Sequence, residues 1–462
     1  MNPEVRKRFP DLHPAFTNQE AVVEANRCLY CSDAPCANAC PTHIDVPKFI
    51  KKISSGNLRG SALTILDANI LGASCARVCP VDVLCEGACV MHRFNRAPIE
   101  IGRLQRFAMD AYVGQARPQA EKQDRLIQDK AGLESTPLVT PAHSSPHTKL
   151  SVACIGAGPA SLACAAELAR RGHKAVVYEG REHPGGLNTY GVAEYKLHSV
   201  DSIREAEFIK SLGVEIRCHE HIDTARLQRL AADHDAIFLG LGLGRMESLG
   251  IPGEGLSGVV DALRFIADYK TAHVITVQPR VVVIGGGNTA IDAANAARRL
   301  GAERVVIVYR RQQQDMPAFA YEYEHAKQEG VQFVWASKAN RIVGQSGRVA
   351  GVDCVRVKPN LETVPGSEFT IACDMVIPAI GQSRALGLVS GVPGIEKKNG
   401  LIAVDRETGR TGNPKFYAGG DIVNGGREVV DAVADGKRAA QAMVAVAQAV
   451  PTAQNALGAT HA

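Results

Sequence analysis

Eight cysteines in the first ninety residues constrain this chain more than any other feature, because thiols so densely placed either pair as disulfides or bind metal. They form two short arrays, Cys28, Cys31, Cys36 and Cys40 before Pro41, and then Cys75, Cys79, Cys85 and Cys89. The charged start of the chain is not followed by an apolar stretch, so we expect no secretion signal and no oxidising compartment. The arrays therefore predict metal ligands.

The spacing of the first array suits an iron–sulfur cluster, which takes its thiolates from one compact loop. A fourth cysteine followed by proline often ligates the other of two clusters, and Cys40 precedes Pro41. Four thiolates also suit zinc, which stays open at this point. Iron–sulfur is favoured because the flavin and nicotinamide sites predicted further along the chain would supply electrons, for which zinc has no use.

The bulk composition describes an ordinary globular protein, with 45% hydrophobic and 22% charged residues. Its 462 residues predict roughly two to four domains. The net charge of +4 and the aromatic content of 5% give no reason to expect a nucleic-acid partner. No stretch of about 18 uncharged apolar residues occurs, so we expect no membrane partner and a cytoplasmic protein.

A short apolar run, a glycine turn and a helical stretch predict a first nucleotide loop. Gly156 permits the tight turn, and Gly158 lets a pyrophosphate approach the backbone. Pro159 precedes a helical stretch predicted from Ala160 to Arg171, whose N-terminus favours negative charge. Glu179 ends the next strand, where its carboxylate can accept hydrogen bonds from a ribose. Strand, loop, helix, strand and terminal acid together predict nucleotide binding.

Two further segments favour FAD as this nucleotide, because both resemble FAD-binding segments of the flavoprotein disulfide-reductase superfamily. Gly186 and Leu187 belong to a Gly-Gly-Leu segment that follows the first loop unit closely. Gly420 and Asp421 end a strand near the C-terminus and precede a helix. In that superfamily the aspartate holds the ribityl and pyrophosphate portion of FAD. The alternative is that Asp421 only caps a helix or a turn.

A second unit of strand, glycine loop, helix and strand lies between the FAD segments, in the order expected of an inserted nicotinamide domain. Its strand ends in two arginines instead of an acid, and two guanidiniums there could pair with a 2′-phosphate, which favours NADPH. Alternatively, the arginines are solvated or stack on adenine. The residues predicted to bind NAD(P)H are Gly285, Gly287, Asn288, Thr289, Arg310 and Arg311.

The predicted fold class is an α-helical N-terminal iron–sulfur domain followed by two α/β nucleotide-binding domains, Rossmann-like and of the disulfide-reductase type. The helical domain, with two [4Fe–4S] clusters, is predicted at 1–114, and a polar, proline-containing linker at 115–148. The FAD domain is predicted at 149–275 and 380–448, the NAD(P)H domain at 276–379, and a tail at 449–462.

Taken together, these residues resemble the electron-input half of dihydropyrimidine dehydrogenase, most nearly the small subunit of the bacterial NAD-dependent enzymes. The likeness is carried by Cys28 to Cys36, Cys40 to Asp45, Cys75 to Cys89 and Ile101 to Gln105, and it continues through both glycine loops. The resemblance implies that Cys28, Cys31, Cys36 and Cys89 hold one [4Fe–4S] cluster, and that Cys40, Cys79, Cys85 and Gln105 hold the other. Cys75 would then be a spectator, although by count eight cysteines could fill two clusters without a glutamine.

The resemblance also implies a function. Electrons would pass from NAD(P)H through FAD and two [4Fe–4S] clusters to a separate subunit, which carries FMN and further iron–sulfur clusters and reduces uracil or thymine. The two chains would form a hetero-oligomer, for instance a heterotetramer. The resemblance implies NADH, whereas Arg310 and Arg311 favour NADPH. Hydride transfer between stacked rings needs no acid–base side chain, so no catalytic residue is named.

Three alternatives remain from the sequence. The small subunit of glutamate synthase shares the whole plan, but the segment Thr42 to Asp45 after Pro41 fits the pyrimidine family better. A stand-alone NAD(P)H diaphorase or ferredoxin reductase would need no partner subunit. A zinc-bearing binding or scaffold module is the alternative that is not an enzyme.

Overall fold

The computed structural model describes residues 7–115, 149–272 and 276–449. These residues form two compact units. The larger unit takes in 13–115, 149–184, 204–242 and 386–449, and the smaller unit takes in 7–12, 185–203, 243–272 and 276–385. Nearly all of the predicted linker and tail lie outside the described residues. The other domain boundaries stay predictions.

Helices and strands alternate through most of the described chain after residue 149. The helices are α1 (Asn18–Asn26), α2 (Pro35–Asn38), α3 (Val46–Ser54), α4 (Leu58–Ala68), α5 (Gly72–Val78), α6 (Ile101–Gln115), α7 (Pro159–Arg170), α8 (Leu187–Tyr190), α9 (Ser199–Ser211), α10 (Thr224–Asp233), α11 (Ala262–Ala267), α12 (Asn288–Leu300), α13 (Ala320–Gln328), α14 (Asp421–Asn424) and α15 (Val429–Ala449). The strands are β1 (Ser151–Ile155), β2 (Lys174–Tyr178), β3 (Glu215–Arg217), β4 (Ala236–Leu239), β5 (Arg280–Ile284), β6 (Arg304–Val308), β7 (Gln332–Val334), β8 (Ser337–Gln345), β9 (Arg348–Val357), β10 (Thr363–Ala372), β11 (Met375–Pro378), β12 (Lys397–Lys398), β13 (Leu401–Ile402) and β14 (Phe416–Ala418). Among the described residues, no helix is long and apolar enough to cross a membrane.

Three of the helices around the cysteine arrays, α1, α3 and α4, begin at side-chain caps. At α1, the Thr17 hydroxyl accepts a hydrogen bond from the Glu20 N–H, and the Glu20 carboxylate accepts one from the Thr17 N–H at 2.8 Å. Asp45 and Asn57 cap α3 and α4 through the same kind of bond. The apolar residues of α3 and α4 are buried in the core: Phe49, Ile50, Ile53, Ala62, Ile65 and Leu66.

A parallel sheet in the order β14-β4-β1-β2-β3 forms the centre of the larger unit. The helices α7 and α15 pack closely, because a Cβ at Gly436 would lie 2.0 Å from the carbonyl oxygen of Ala160. One continuous apolar core joins this sheet and its helices to the cysteine-bearing helices. The helical region and the first nucleotide fold therefore stabilise each other.

The smaller unit contains a second parallel sheet, in the order β11-β5-β6-β7, and an antiparallel sheet in the order β10-β9-β8. The strands β5 and β6 pair in register from Arg280 with Arg304 to Ile284 with Val308. Their buried β-branched residues read as a continuous apolar run, which is typical of a parallel sheet covered on both faces. The predicted fold class is confirmed, with a helical region followed by two Rossmann-like folds.

Two segments distant in sequence complete the smaller unit. Residues 7–12 bring Phe9 onto the ring of Tyr269, with a centroid separation of 5.1 Å. Residues 185–203 contribute His198, whose Nε2 lies 2.9 Å from an Asp11 carboxylate oxygen and whose Nδ1 lies 3.1 Å from Glu194. Burial lowers the pKa of His198, but the two carboxylates outweigh it and raise the pKa to about 9. A charged imidazole therefore ties these two segments together.

The raised pKa of His198 predicts a pH-dependent stability. Because its folded value of about 9 exceeds the ordinary 6.5, the stabilisation is complete below pH 6.5 and is lost as the pH rises through 9. We expect His198→Gln to cost about 2 kcal/mol at pH 6, after allowance for the partly exposed Asp11. The Tm difference between the wild type and the variant should shrink towards pH 10. A Tm difference that does not change with pH would contradict the assignment.

Candidate functional site

The first glycine loop has the geometry that an approaching phosphate requires. Gly156 has a φ of +87°, and a Cβ on it would lie 2.6 Å from the carbonyl oxygen of Gly240, so only glycine fits. A Cβ on Gly158 would meet no atom within 4 Å, and no side chain caps α7 at this residue. Pro159 occupies the first turn, where its missing N–H costs nothing. The first N–H groups of α7 are therefore open to an anion.

Glu179 lies beside this loop, as the sequence predicts. One carboxylate oxygen accepts a hydrogen bond from the Ala157 N–H at 2.8 Å, and the other accepts one from the Arg181 N–H at 2.9 Å. Each oxygen keeps a lone pair for a further donor, such as a ribose hydroxyl. Glu179 thus fixes the loop and can still accept a hydrogen bond from a nucleotide.

The C-terminal segment predicted to bind FAD meets the first loop within the larger unit. Gly420 has a φ of +74°, and a Cβ on it would lie 3.1 Å from the Cβ of Ala160. Asp435 accepts a hydrogen bond from the Gly420 N–H at 3.0 Å, a support that the sequence did not reveal. Asp421 follows, and burial raises the pKa of its carboxyl. Hydrogen-bond donors from a bound cofactor would offset this burial.

Gly186 and Leu187 lie in the smaller unit. Gly185, with a φ of +110°, leaves no room for a Cβ, which would lie 2.1 Å from the Thr189 hydroxyl. Gly186, with a φ of +57°, caps the short helix α8, which begins at Leu187. The two left-handed residues make a tight backbone turn that side chains would block.

The second glycine loop also leaves no room for a side chain at two of its glycines. A Cβ on Gly285 would lie 2.2 Å from the Ala379 carbonyl oxygen, and one on Gly286 would lie 2.5 Å from the Tyr309 ring. Gly287 faces open space and begins α12 without a side-chain cap. Asn288 instead accepts a hydrogen bond from the Phe319 N–H at 3.1 Å. The next residue, Thr289, is half-buried in the first turn of α12.

The two predicted arginines stand at the carboxyl end of β6. The backbone there is fixed, since the Arg311 carbonyl accepts from the Ala336 N–H at 2.9 Å and the Tyr309 carbonyl accepts from the Ser337 N–H at 3.1 Å. Arg310 and Arg311 are exposed, and within the ranges described neither guanidinium has a hydrogen-bond or ion-pair partner. Both are therefore available to an anionic group.

The first group of cysteines draws on both arrays. Burial raises the pKa of Cys28, and the nearby thiols of Cys31 and Cys89 raise it further. Burial likewise raises the pKa of Cys36 to about 11, with Cys28 and Cys89 as its neighbouring thiols. Cys89 of the second array thus lies among three cysteines of the first. This is the neighbourhood expected of one ligand set.

The second group also crosses the arrays. A hydrogen bond with Cys75 raises the pKa of Cys79 well above its ordinary value, and burial and the thiols of Cys85 and Cys40 raise it further. The Cys40 thiol lies 3.3 Å from the Thr42 hydroxyl. Cys40 of the first array is therefore among cysteines of the second, and Cys75 is there too.

Gln105 is buried on α6, with 7% of its surface exposed. Its amide nitrogen donates a hydrogen bond to the Gly72 carbonyl at 2.7 Å, at the start of α5. This bond leaves the amide oxygen as the atom that could ligate iron. Gln105 and Cys75 thus remain two alternatives for the fourth ligand of the second group.

The thiol chemistry of both groups fits iron–sulfur clusters. In the ranges that the structure describes, no three or more His, Cys, Asp or Glu side chains are close enough to hold one metal ion. A [4Fe–4S] cluster does not need such convergence, because its cysteines bind different irons.

Glu205 supports this region and was missed by the sequence reasoning. Its carboxylate accepts hydrogen bonds from the Ala73 N–H at 2.8 Å, the Ser74 N–H at 3.1 Å and the Ser74 hydroxyl, and so caps α5. Burial raises the pKa of Glu205 to about 7 against the effect of these bonds. Nothing in the sequence distinguishes this acid from others on α9, since only the tertiary fold brings it to α5.

Two families match the chain. Residues 5–116 match the family described as dihydropyrimidine dehydrogenase domain II, 4Fe-4S cluster. Residues 150–449 match the family described as pyridine nucleotide-disulphide oxidoreductase. The boundary between the two matches falls in the segment predicted as a linker.

Curated relatives extend over nearly the whole chain. The NADP(+)-dependent formate dehydrogenase subunit beta of Moorella thermoacetica is 36% identical over 88% of this chain, which spans 59% of that relative's length. The NAD-dependent dihydropyrimidine dehydrogenase subunit PreT of Escherichia coli is 34% identical over 94% of this chain and 96% of its own length. The glutamate synthase [NADPH] small chain of Escherichia coli is 32% identical, over 96% and 94%.

Among solved structures, a thioredoxin reductase of Lactococcus lactis is similar over 65% of this chain and 100% of its own. The TM-score is 0.53 and the sequence identity is 25%. The thioredoxin reductase therefore shares the Rossmann-like folds described above.

The fourth ligand of the second cysteine group can be tested directly. We expect Gln105→Ala to change the EPR signal of one reduced cluster, because the amide oxygen is lost, and Cys75→Ser to leave both signals unchanged. EPR spectra of the dithionite-reduced variants, with iron contents measured in parallel, make the comparison. A cluster lost in Cys75→Ser together with an unchanged Gln105→Ala spectrum would assign the ligand to Cys75.

Proposed function

Because the chain belongs to the pyridine nucleotide-disulphide oxidoreductase family and carries the [4Fe–4S] domain of dihydropyrimidine dehydrogenases, we propose that it is the electron-input subunit of such a dehydrogenase. The chain is an oxidoreductase that binds FAD, NAD(P)H and [4Fe–4S] iron–sulfur. The proposal is that it passes electrons from NAD(P)H to a separate FMN-containing subunit that reduces uracil or thymine to 5,6-dihydropyrimidines.

The observation that carries this proposal is the crossing of the two cysteine arrays. Cys89 lies among the first three cysteines, and Cys40 lies with Cys79 and Cys85. Two ligand sets within one helical region, which shares its core with a nucleotide fold, suit a chain that moves electrons. We propose two clusters, with Gln105 as the fourth ligand of the second.

The proposed role of this chain's residues is to bind the two nucleotides and to orient them. The open N-terminus of α7 and the carboxylate of Glu179 would hold the pyrophosphate and ribose of FAD, with Asp421 near the same loop. The open N-terminus of α12 would hold the pyrophosphate of NAD(P)H. When bound, FAD accepts two electrons from a nicotinamide and releases them singly to iron–sulfur clusters. The protein needs no proton-transferring side chain for this exchange.

The place of action and the domain limits belong to the same proposal. We propose a cytoplasmic protein, since a compartment that keeps thiols reduced suits cysteines that ligate iron. The helical domain would span 1–114, the FAD domain 149–275 and 380–448, and the NAD(P)H domain 276–379. A partner chain is supported by relatives named as subunits of larger enzymes.

A second candidate function is that of a glutamate synthase small chain. The relative of that name is 32% identical over 96% of this chain, nearly as similar as the dihydropyrimidine dehydrogenase subunit. The two candidates share their cofactors and differ in the partner. Isolation of the native complex separates them, because one partner is an FMN-containing barrel protein and the other is a large glutamine amidotransferase.

The coenzyme preference can be read from the arginine pair. If Arg310 and Arg311 bind the 2′-phosphate, the double variant Arg310→Glu, Arg311→Glu should raise the KM for NADPH about tenfold or more, since each charged hydrogen bond contributes over 1 kcal/mol. The KM for NADH should change little. Steady-state reduction of ferricyanide measures both. Equal losses with the two coenzymes, or a wild type that prefers NADH strongly, would show that the arginines serve another purpose.

The proposal of a partner subunit predicts that this chain alone oxidises NAD(P)H and that uracil reduction needs both subunits. The purified chain should oxidise NAD(P)H with ferricyanide and should not reduce uracil. Addition of the native FMN-containing partner should produce dihydrouracil, detected by chromatography. Uracil reduction by this chain alone would overturn the need for a partner, and a native complex that turns over glutamine would favour the second candidate.

A further inference from the structure

Exposed apolar side chains are concentrated around the cysteine groups. Among the described residues, seven large apolar side chains are exposed, and five of them lie between residues 22 and 94. Leu29 is 53% exposed and directly follows Cys28, and Phe94 is 62% exposed and lies five residues after Cys89. Single exposed apolar residues are common, but several of them beside one group of thiols are typical of a surface that another protein covers.

Hydrogen bonds hold together the two segments that carry Leu29 and Phe94. The Arg27 guanidinium donates to the Ala97 carbonyl at 2.7 Å. The Glu24 carboxylate, which pairs with the same guanidinium at 2.7 Å, also accepts a hydrogen bond at 2.9 Å from the backbone N–H of residue 100. The two exposed side chains therefore lie on neighbouring segments, beside the first group of cysteines.

Short-range contacts fix the turn that presents Phe94 to solvent. Met91 is buried, and its carbonyl accepts a hydrogen bond from the Arg96 N–H at 3.2 Å. The Nε2 atom of His92 lies 3.1 Å from the carbonyl oxygen of Glu86. A side chain held on a fixed turn loses little conformational freedom when a partner covers it, so this turn is suited to binding.

The charge on both sides of Phe94 is positive. Arg93 precedes it and Arg96 follows two residues later; both are exposed, and within the described ranges neither guanidinium has a hydrogen-bond or ion-pair partner. Two acids of the neighbouring segments, Glu24 and Glu100, are each paired with another arginine at 2.7 Å. Arginines and aromatic rings are enriched in protein interfaces, and unpaired positive charge suits a partner that carries carboxylates.

We infer that Leu29, Arg93, Phe94 and Arg96 form a docking surface for the electron-accepting partner subunit. The inference rests on the proposed function, in which electrons leave this chain for a separate subunit, and it adds where that subunit binds. The contacting face of the partner would present an apolar recess for Phe94 with carboxylates around it. Docking at this surface brings the partner beside the first group of cysteines, where an electron acceptor is needed.

The test measures how purified full-chain variants bind the partner subunit isolated from the native complex. Phe94→Ser removes the apolar anchor, and the double variant Arg93→Glu, Arg96→Glu reverses the charge. The matched controls are Val446→Ser, which removes another exposed apolar side chain of the larger unit, and Arg406→Glu, which reverses another exposed charge there. Biolayer interferometry gives the Kd and the association rate at low and high salt.

We expect Phe94→Ser to raise the Kd for the partner about tenfold or more, as the loss of a central aromatic anchor does. The wild type should associate more slowly as salt rises, because salt screens the attraction between opposite charges. The arginine double variant should associate slowly at low salt and faster as salt is added, because its glutamates repel the carboxylates of the partner. Both controls should keep the Kd within about twofold of the wild type.

The cofactors report whether a variant is intact. All of the replaced side chains are exposed, so the EPR signals of the reduced clusters should not change. The rate at which NAD(P)H reduces the bound flavin should not change either. A loss of partner binding that occurs only together with a changed EPR signal would contradict the inference, because damage to a cluster would then explain it.

A wild-type Kd in both Phe94→Ser and the arginine double variant would overturn the inference. It would also be overturned if Phe94→Ser changed the self-association of this chain, measured by light scattering, and left partner binding unchanged, because the surface would then bind a second copy. Failure of the proposed function would be seen separately. A native partner that turns over glutamine would replace that function and leave the docking test valid, whereas a chain isolated without any partner would contradict both.

Discussion

The meeting of thiols from two separate arrays is the constraint on which the rest of the structure depends. If each cysteine array bound its own cluster, one loop would supply all the ligands of that cluster. The helices around the two arrays could then move independently. Here Cys89 lies among thiols of the first array, and Cys40 lies among thiols of the second. The chain between them, with α3, α4 and α5, must therefore fold as one body. That body shares an apolar core with the first nucleotide fold.

Supports from outside the arrays show how the cysteine helices are kept in place. Glu205 reaches from α9 to the start of α5, where its buried carboxylate replaces the missing helix cap. Lys437 on α15 donates to the carbonyls of Asp67 and Ala68 at the end of α4. Both contacts join the helical region to the first nucleotide fold. An electron carrier benefits from such fixed distances, because its cofactors must stay near each other throughout turnover.

Much of the nucleotide architecture was predictable from the sequence. Glycines with positive φ, such as Gly156 and Gly285, stand where a strand turns into a helix, and a local pattern is sufficient to find them. The assignment of cysteines from both arrays to each cluster was implied by a resemblance. Spacing alone also allowed each array to bind its own cluster. The fold class was confirmed, whereas the assignment of individual residues to FAD, NAD(P)H and the clusters stays a prediction.

Other features depend on the tertiary fold, and no local pattern reveals them. The segment 185–203 follows the first nucleotide loop in sequence but belongs to the smaller unit. Lys196 and Tyr195 of the segment bond to Asp292, and Lys270 donates to the Asn188 carbonyl of the segment. Arg310 and Arg311 were visible in the sequence, but only the structure shows that their guanidiniums are unpaired within the described ranges.

The crossing of the arrays is tested most directly by single cysteine variants read by EPR. Cys36, Cys85 and Cys89 are each replaced by serine in the full chain, and the spectra of the dithionite-reduced proteins are compared with that of the wild type. The account predicts that Cys89→Ser changes the same cluster signal as Cys36→Ser and leaves intact the signal that Cys85→Ser changes. If Cys89→Ser and Cys85→Ser change the same signal, each array holds its own cluster and the account is contradicted.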